Sequence, residues 1–177
     1  MTILILGTPD SGKSAFAEKL MDELSGESEK IYIATMIPFG KEGEERVKKH
    51  RKMREGKGYL TIECPTCISR ILSGTDGTEN KSCLLECLTN LVGNEMHSAD
   101  NKDMDDERLI DKITDDVMNL MRKCGNLVIV SNHFPQDDPE YDEDTKRYVR
   151  LTDLLNKRIS MNTDRVYELK GGKWVGK

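Results

Sequence analysis

Near the start of the chain, Gly7-Thr8-Pro9-Asp10-Ser11-Gly12-Lys13-Ser14 satisfies the spacing G-x-x-x-x-G-K-[ST] at every fixed position. The spacing has a physical reason. Glycines let the backbone curl until successive N–H groups point inward at phosphate oxygens, and a helix opening at the end of the loop adds its positive terminus to the same anion. Lys13 would bring a point charge to the β- and γ-phosphates of a nucleoside triphosphate, and the Ser14 hydroxyl would offer Mg²⁺ an oxygen ligand. The competing reading is a chance Gly-Lys-Ser turn, which would carry no expectation of a buried strand before it and a helix after it. A phosphate site of this kind also needs a carboxylate at the end of a neighbouring strand. Glu86, following Cys83-Leu84-Leu85, is the candidate metal ligand. Its alternative is a capping or surface glutamate, because Thr89 and Asn90 could begin a helix.

The elements that must position these groups are readable from hydrophobic spacing. Residues 2–6 form a short Ile/Leu run stopped by Gly7, as expected of a strand buried on both faces. Apolar positions at helical spacing follow over 13–24, ending at Ser25-Gly26. Further strands are expected at 31–34, 60–64, 82–87, 127–130 and 165–169. A charged, exposed helix is expected at 42–55, a short one at 68–72, a long amphipathic one at 103–123 and another at 145–161. Residues 74–81 and 135–144 read as polar loops, the second acidic and mobile. A glycine turn at 171–172 leads into a short tail holding the single tryptophan, Trp174. Strands alternating with helices imply an α/β fold: a mostly parallel sheet with helices on both faces, in one P-loop domain over residues 1–177.

Composition narrows the function. A net charge of −5 argues against nucleic acid as a general partner, although residues 48–54 form a local basic patch. The leading apolar run is too short for a secretory signal or a membrane span, so a soluble cytoplasmic protein is expected. Five cysteines without a signal disfavour a disulfide framework. Cys64-Pro65-Thr66-Cys67 with Cys83 and Cys87 has a zinc-like spacing, but buried structural thiols are the better reading. His97 reads as an exposed loop histidine, and His133 as a loop histidine near the site or a substrate contact. The acidic stretches 100–106 and 137–144 read as solvated surface.

Several motifs then fall into one order. After the phosphate loop come Ala34-Thr35, then Arg46-Val47 with His50 and Arg54, then Thr61-Ile62-Glu63 with Pro65, then the run from Leu84 to Thr89 with Asn94. In this order and spacing the chain resembles the bifunctional adenosylcobinamide kinases / adenosylcobinamide-phosphate guanylyltransferases of cobalamin biosynthesis, most strongly up to Asn94. The resemblance implies a RecA-like sheet, a homotrimer and two reactions with Mg²⁺. An NTP, GTP or ATP, phosphorylates adenosylcobinamide, and GMP then passes from GTP through a histidine onto the new phosphate. His50 matches that histidine. The catalytic set is then His50, Lys13 and Glu86. The nucleotide contacts are the loop Gly7 to Ser14 with Ala34, Thr35, Arg46, Arg54 and Glu63, and the metal ligands are Ser14 and Glu86. A neutral imidazole is a competent nucleophile toward an α-phosphate. Arg46 and Arg54, at i−4 and i+4, share its helix face, and Lys48, Lys49, Arg51 and Lys52 add positive potential. A solvated basic helix with an incidental histidine is the alternative.

The chain departs from the family pattern in places. Thr8 stands at a usual glycine, and Gly40-Lys41 replaces an expected acidic residue. Ser131-Asn132 is followed by His133-Phe134-Pro135-Gln136, and Arg147-Tyr148-Val149-Arg150 departs from a later Arg-rich motif, while Asn156 and Asp164 fit. Two further readings therefore stay open: a nucleotide-binding regulatory module without turnover, and a P-loop kinase of another small alcohol or nucleoside.

Overall fold

The computed structural model describes residues 1–73, 81–136, 138–170 and 172–177, so most of the loop expected over 74–81 lies outside the described residues. In chain order the elements are β1 (Thr2–Gly7), α1 (Lys13–Ser25), β2 (Lys30–Ala34), α2 (Gly40–Arg54), β3 (Tyr59–Glu63), a 3₁₀ turn (Ile68–Ser73), β4 (Ser82–Glu86), α3 (Leu88–Met96), a second 3₁₀ turn (Ala99–Asn101), α4 (Asp106–Lys123), β5 (Asn126–Asn132), α5 (Glu143–Ser160), β6 (Arg165–Lys170) and β7 (Lys173–Gly176). The strands form one sheet in the order β3-β2-β4-β5-β1-β6-β7. Every pair is parallel except β6–β7.

The apolar strands are buried on both faces, and the alternation of side chains divides them between two cores. Ile3, Ile5, Tyr32, Leu84, Val128 and Val130 face Ala17, Leu20 and Met21 of α1. Leu4, Ile31, Ile33, Leu85 and Ile129 face the other way, against residues of α3, α4 and α5. In α4 the buried stripe is Leu109, Ile110, Ile113, Val117 and Leu120, the recurrence expected of a helix lying on a sheet.

Four expectations are corrected. The acidic stretches are not merely solvated surface. Asp105 caps α4 by accepting from Arg108 N at 2.9 Å, and Asp142 caps α5 by accepting from Thr145 N at 2.8 Å. Asp106 joins the two helices by accepting from Arg147 Nε at 2.7 Å and from Arg150. The tail is a strand rather than an irregular end. Trp174 on β7 stacks on Phe16 of α1, with ring centroids 4.7 Å apart and planes 3° apart, and this contact closes the β7 edge onto the helix. Residues 88–96, considered above only as the alternative for Glu86, form α3. Cys87 is its N-cap rather than the last residue of a strand, its sulfur accepting from Asn90 N. His97 is exposed, as expected; it stands at the other end of α3 and pairs with Asp144 at 3.3 Å.

A buried polar cluster anchors the loop after β3. Glu95 is 1% exposed, and its carboxylate accepts from Cys67 N and Asn101 Nδ2, each at 2.6 Å, and from Lys112 Nζ at 2.7 Å. Burial alone would lower the Lys112 pKa, but the hydrogen bond and charge of Glu95 outweigh it and hold the ammonium above its usual value. A raised folded-state value means the stabilisation is complete below the ordinary lysine range, about 10.4, and is lost only as pH rises through the folded value. Lys112→Ala leaves Glu95 buried without its cation and is expected to cost about 2–3 kcal/mol in urea unfolding at neutral pH. The difference from wild type should stay constant from pH 7 to 9 and shrink only at strongly alkaline pH.

Candidate active site

The parallel register brings the carboxyl ends of the strands into one row. Gly7 lies opposite Asn132, Glu86 opposite Val130, and Ala34 opposite both Glu86 and Glu63. The crevice beyond such strand ends is where open α/β sheets bind ligands. Here it is a cleft of about 540 Å³ between the phosphate loop and α2. The cleft takes in the loop from Pro9 to Ser14, with Tyr32 and Ala34 from β2, Arg46 and His50 from α2, Glu63 from β3 and Glu86 from β4.

The loop adopts the conformation that its glycines permit. Gly12 has φ +84° and Asp10 φ +55°, and Phe16 N donates to Gly12 O at 3.1 Å as α1 begins. A Cβ on Gly7 would stand 2.7 Å from Ser11 Oγ and 3.3 Å from the Lys13 side chain, so any other residue would have to displace these two side chains of the loop. Thr8 has no positive φ, which explains how a threonine is accommodated at this position. Lys13 is 7% exposed, and its ammonium donates to Thr8 O and, at 3.4 Å, to Ser11 Oγ. Burial pulls its pKa below the usual lysine value, while the charges at Cys87, Glu86 and Asp10 act in the opposite direction. With the ammonium bonded to the loop's own oxygens, a phosphate would exchange better partners for these.

Glu86 is the centre of the cleft. Ser14 Oγ donates to its Oε1, Tyr32 OH donates to its Oε2 at 2.8 Å, and His50 Nδ1 stands 3.8 Å from Oε1. The strand bearing it is not the neighbour of β1 that the sequence reading assumed, because β5 lies between them. The carboxylate still reaches Ser14, since both sit at the carboxyl edge. The Glu86–Cys87 peptide is cis. Burial, with Glu86 adding its charge and hydrogen bond, raises the Tyr32 pKa far above the usual phenol value, so the hydroxyl stays a donor.

The remaining expected site residues separate by position. His50 is half-buried, and its Nδ1 is out of solvent without a hydrogen-bond partner among the described residues. Arg46 lies exposed at the cleft rim, 3.6 Å from Glu42. Arg54 does not lie beside it on the surface. Its guanidinium is buried, with the central carbon 3.6 Å from the centre of the Tyr32 ring, so Arg54 lines the cleft from its buried wall as a cation–π partner of Tyr32. Thr35 is fully buried. Its hydroxyl donates to Cys87 O at 2.9 Å and accepts from Cys87 N at 2.7 Å, which ties the end of β2 to the residue after Glu86. Glu63 sits at the cleft edge, bonded to Arg51 at 3.0 Å. His133 donates its backbone N–H to Gly7 O at 3.0 Å, which places it beside the loop.

Three contributors were not assigned to the site from sequence, although Asn94 stands in the ordered motifs. Tyr32 reads as one more apolar strand residue, and only the register of β2 against β4 shows that it faces Glu86. Asn94 donates to Thr35 O at 2.7 Å and Pro65 O at 3.0 Å, joining two loops of the site. Asn90, on the first turn of α3, lines the cleft. The five cysteines are free, and Cys83 is hydrogen-bonded to Cys124 rather than grouped with Cys64 and Cys67. Among the described residues, no three His, Cys, Asp or Glu side chains converge as a metal-binding group, and no helix is long and apolar enough to cross a membrane.

Comparison with known proteins agrees with this geometry. The ATPase domain of G40P is similar in structure, with a TM-score of 0.56 over 96% of this chain and 69% of that chain. Its sequence identity of 13% makes this a likeness of fold alone. No curated protein matches the chain in sequence. The sequence model of the family described as cobinamide kinase / cobinamide phosphate guanyltransferase matches residues 3–175. A phosphate loop at the carboxyl edge of a mostly parallel sheet, matched across nearly its whole length, assigns the chain to the cobinamide kinase / cobinamide phosphate guanyltransferase family.

Proposed function

We propose that the protein phosphorylates adenosylcobinamide and then transfers GMP from GTP to the product through a guanylylated His50. The observation that supports this best is the half-buried imidazole, unpartnered at Nδ1, facing a carboxylate in the same cleft as the phosphate loop. In the first reaction the acceptor hydroxyl oxygen bonds to the γ-phosphorus and gives up its proton to solvent, the bond from that phosphorus to the β-bridging oxygen breaks, and the nucleoside diphosphate leaves. The loop amides and Lys13 hold the phosphates in line. In the second reaction an imidazole nitrogen of His50 bonds to the α-phosphorus and pyrophosphate leaves. An oxygen of the acceptor phosphate then displaces the imidazole. Nδ1 faces Glu86, so Nε2 is the nitrogen assigned to attack. The imidazole becomes cationic while it carries GMP, and the Glu86 carboxylate 3.8 Å away offsets that charge.

Ser14 and Glu86 present hard oxygen atoms in direct contact across 72 residues of sequence, a donor set that suits Mg²⁺. A magnesium ion held there would neutralise charge on the phosphates. On this reading Tyr32 orients the carboxylate, and Arg46 and Lys49 draw phosphates to the cleft. The family reading also extends to a homotrimer acting in the cytoplasm.

Incubation with GTP labelled in the α-phosphate, followed by adenosylcobinamide phosphate, tests the assignment. Wild type is expected to acquire acid-labile label that moves to the acceptor, and His50→Ala to acquire none while binding GTP as before. Label independent of His50 would overturn the nucleophile. Tyr32→Phe keeps the ring beneath Arg54 and removes only the donor to Glu86. Isothermal titration of GTP is expected to show about a tenfold loss of affinity in Mg²⁺ and almost none in EDTA.

A further inference from the structure

A second cavity, of about 290 Å³, lies between α3 and the start of α5. Asn90 lines both this cavity and the catalytic cleft, so the two spaces adjoin at this residue. We infer that this cavity is the acceptor half of the substrate site and seats uncharged hydrogen-bonding groups, amides or hydroxyls, of the acceptor molecule. The inference rests on the two reactions proposed above and adds where their common acceptor lies.

The chemistry of the walls separates the two spaces. The cleft holds Lys13, Arg46 and Lys49. The cavity wall has no lysine or arginine among the described residues. Its charged groups are Asp144 and His97, which face one another at 3.3 Å. Phosphate therefore belongs in the cleft, and a neutral polar group belongs in the cavity. Asn90 is half-buried, and its carboxamide makes no hydrogen bond among the described residues, leaving a donor and an acceptor free at the junction. Tyr148 forms the floor. Its hydroxyl donates to Thr89 O at 3.2 Å, and its oxygen keeps a lone pair for a ligand donor. The volume is at the small end for ligand pockets, enough for side arms of an acceptor rather than the whole of a large one.

Gly93 points to the same use. Glycine is among the poorest helix formers, yet it occupies the interior of α3, one turn beyond Asn90 on the same face. It has no positive φ, and an added Cβ would meet the Tyr148 ring at 3.5 Å, an ordinary contact. Neither backbone strain nor tight packing requires it. What its missing side chain does is keep the cavity open.

Gly93→Gln fills the cavity without touching the phosphate loop, Glu86 or His50. Steady-state phosphorylation of adenosylcobinamide and labelling by α-labelled GTP are measured side by side. Support is a KM for adenosylcobinamide raised at least about tenfold, with the KM for nucleotide and the labelling of His50 unchanged. Unchanged labelling also shows that the variant is folded. An unaltered acceptor KM in a normally labelled variant overturns the cavity assignment and leaves the two reactions standing. If wild type neither phosphorylates adenosylcobinamide nor transfers GMP to its phosphate, the proposed function fails and the acceptor assignment fails with it.

Discussion

A carboxylate almost removed from water dominates the site, and the remaining elements are arranged to satisfy it. The Glu86 side chain is 10% exposed. A charge so placed is costly unless donors and opposite charges surround it. Its donors come from different parts of the chain, Ser14 from the start of α1 and Tyr32 from β2, with His50 of α2 facing the same oxygen as Ser14. None of these elements is a sequence neighbour of β4. Only the sheet, by fixing the strand ends in one row, can hold four such groups within reach of one another. Arg54 over the Tyr32 ring and Thr35 across the Cys87 backbone then stiffen the two strands that matter most.

The two faces of the sheet do different work. The α1 face carries the phosphate loop and is closed by an aromatic cluster in which Phe16 meets both Tyr167 and Trp174. The α3–α5 face carries the larger core and the buried Glu95–Lys112 pair. Helix α3 joins the two. It leaves β4 directly after Glu86, and through Asn94 and Glu95 it secures the loops that follow β2 and β3. The geometry of the cleft therefore depends on a helix packed on the opposite side of the sheet.

What was legible in the sequence is what is local. The phosphate loop, the doubly buried strands and the stripe of α4 are each specified within a few residues, and they were readable in place. Glu86 and His50 were legible as chemical types in a familiar order, but their distance from one another was not. The stacking of Arg54 on Tyr32 was opaque for a related reason. A tyrosine between two isoleucines and an arginine at the end of a charged helix look like core and surface, and they become a stacked pair only when β2 lies beside β4 and α2 folds over it. Asp106 looked like one acid among many because its partners, Arg147 and Arg150, lie about forty residues further on. The last strand was missed because its pairing partner and the aromatic ring that covers it belong to other elements.

The position of β1 has a consequence for the order of assembly. It precedes both of its pairing partners in the sequence, yet it lies deep in the sheet between β5 and β6, its residues pairing with 127–132 on one side and 165–168 on the other. During synthesis it has nothing to pair with until most of the chain has emerged. Contacts of such sequence separation slow folding and leave apolar strand edges exposed meanwhile. The segment Ile3-Leu4-Ile5-Leu6 therefore has no strand partner until residues 127–132 have been made.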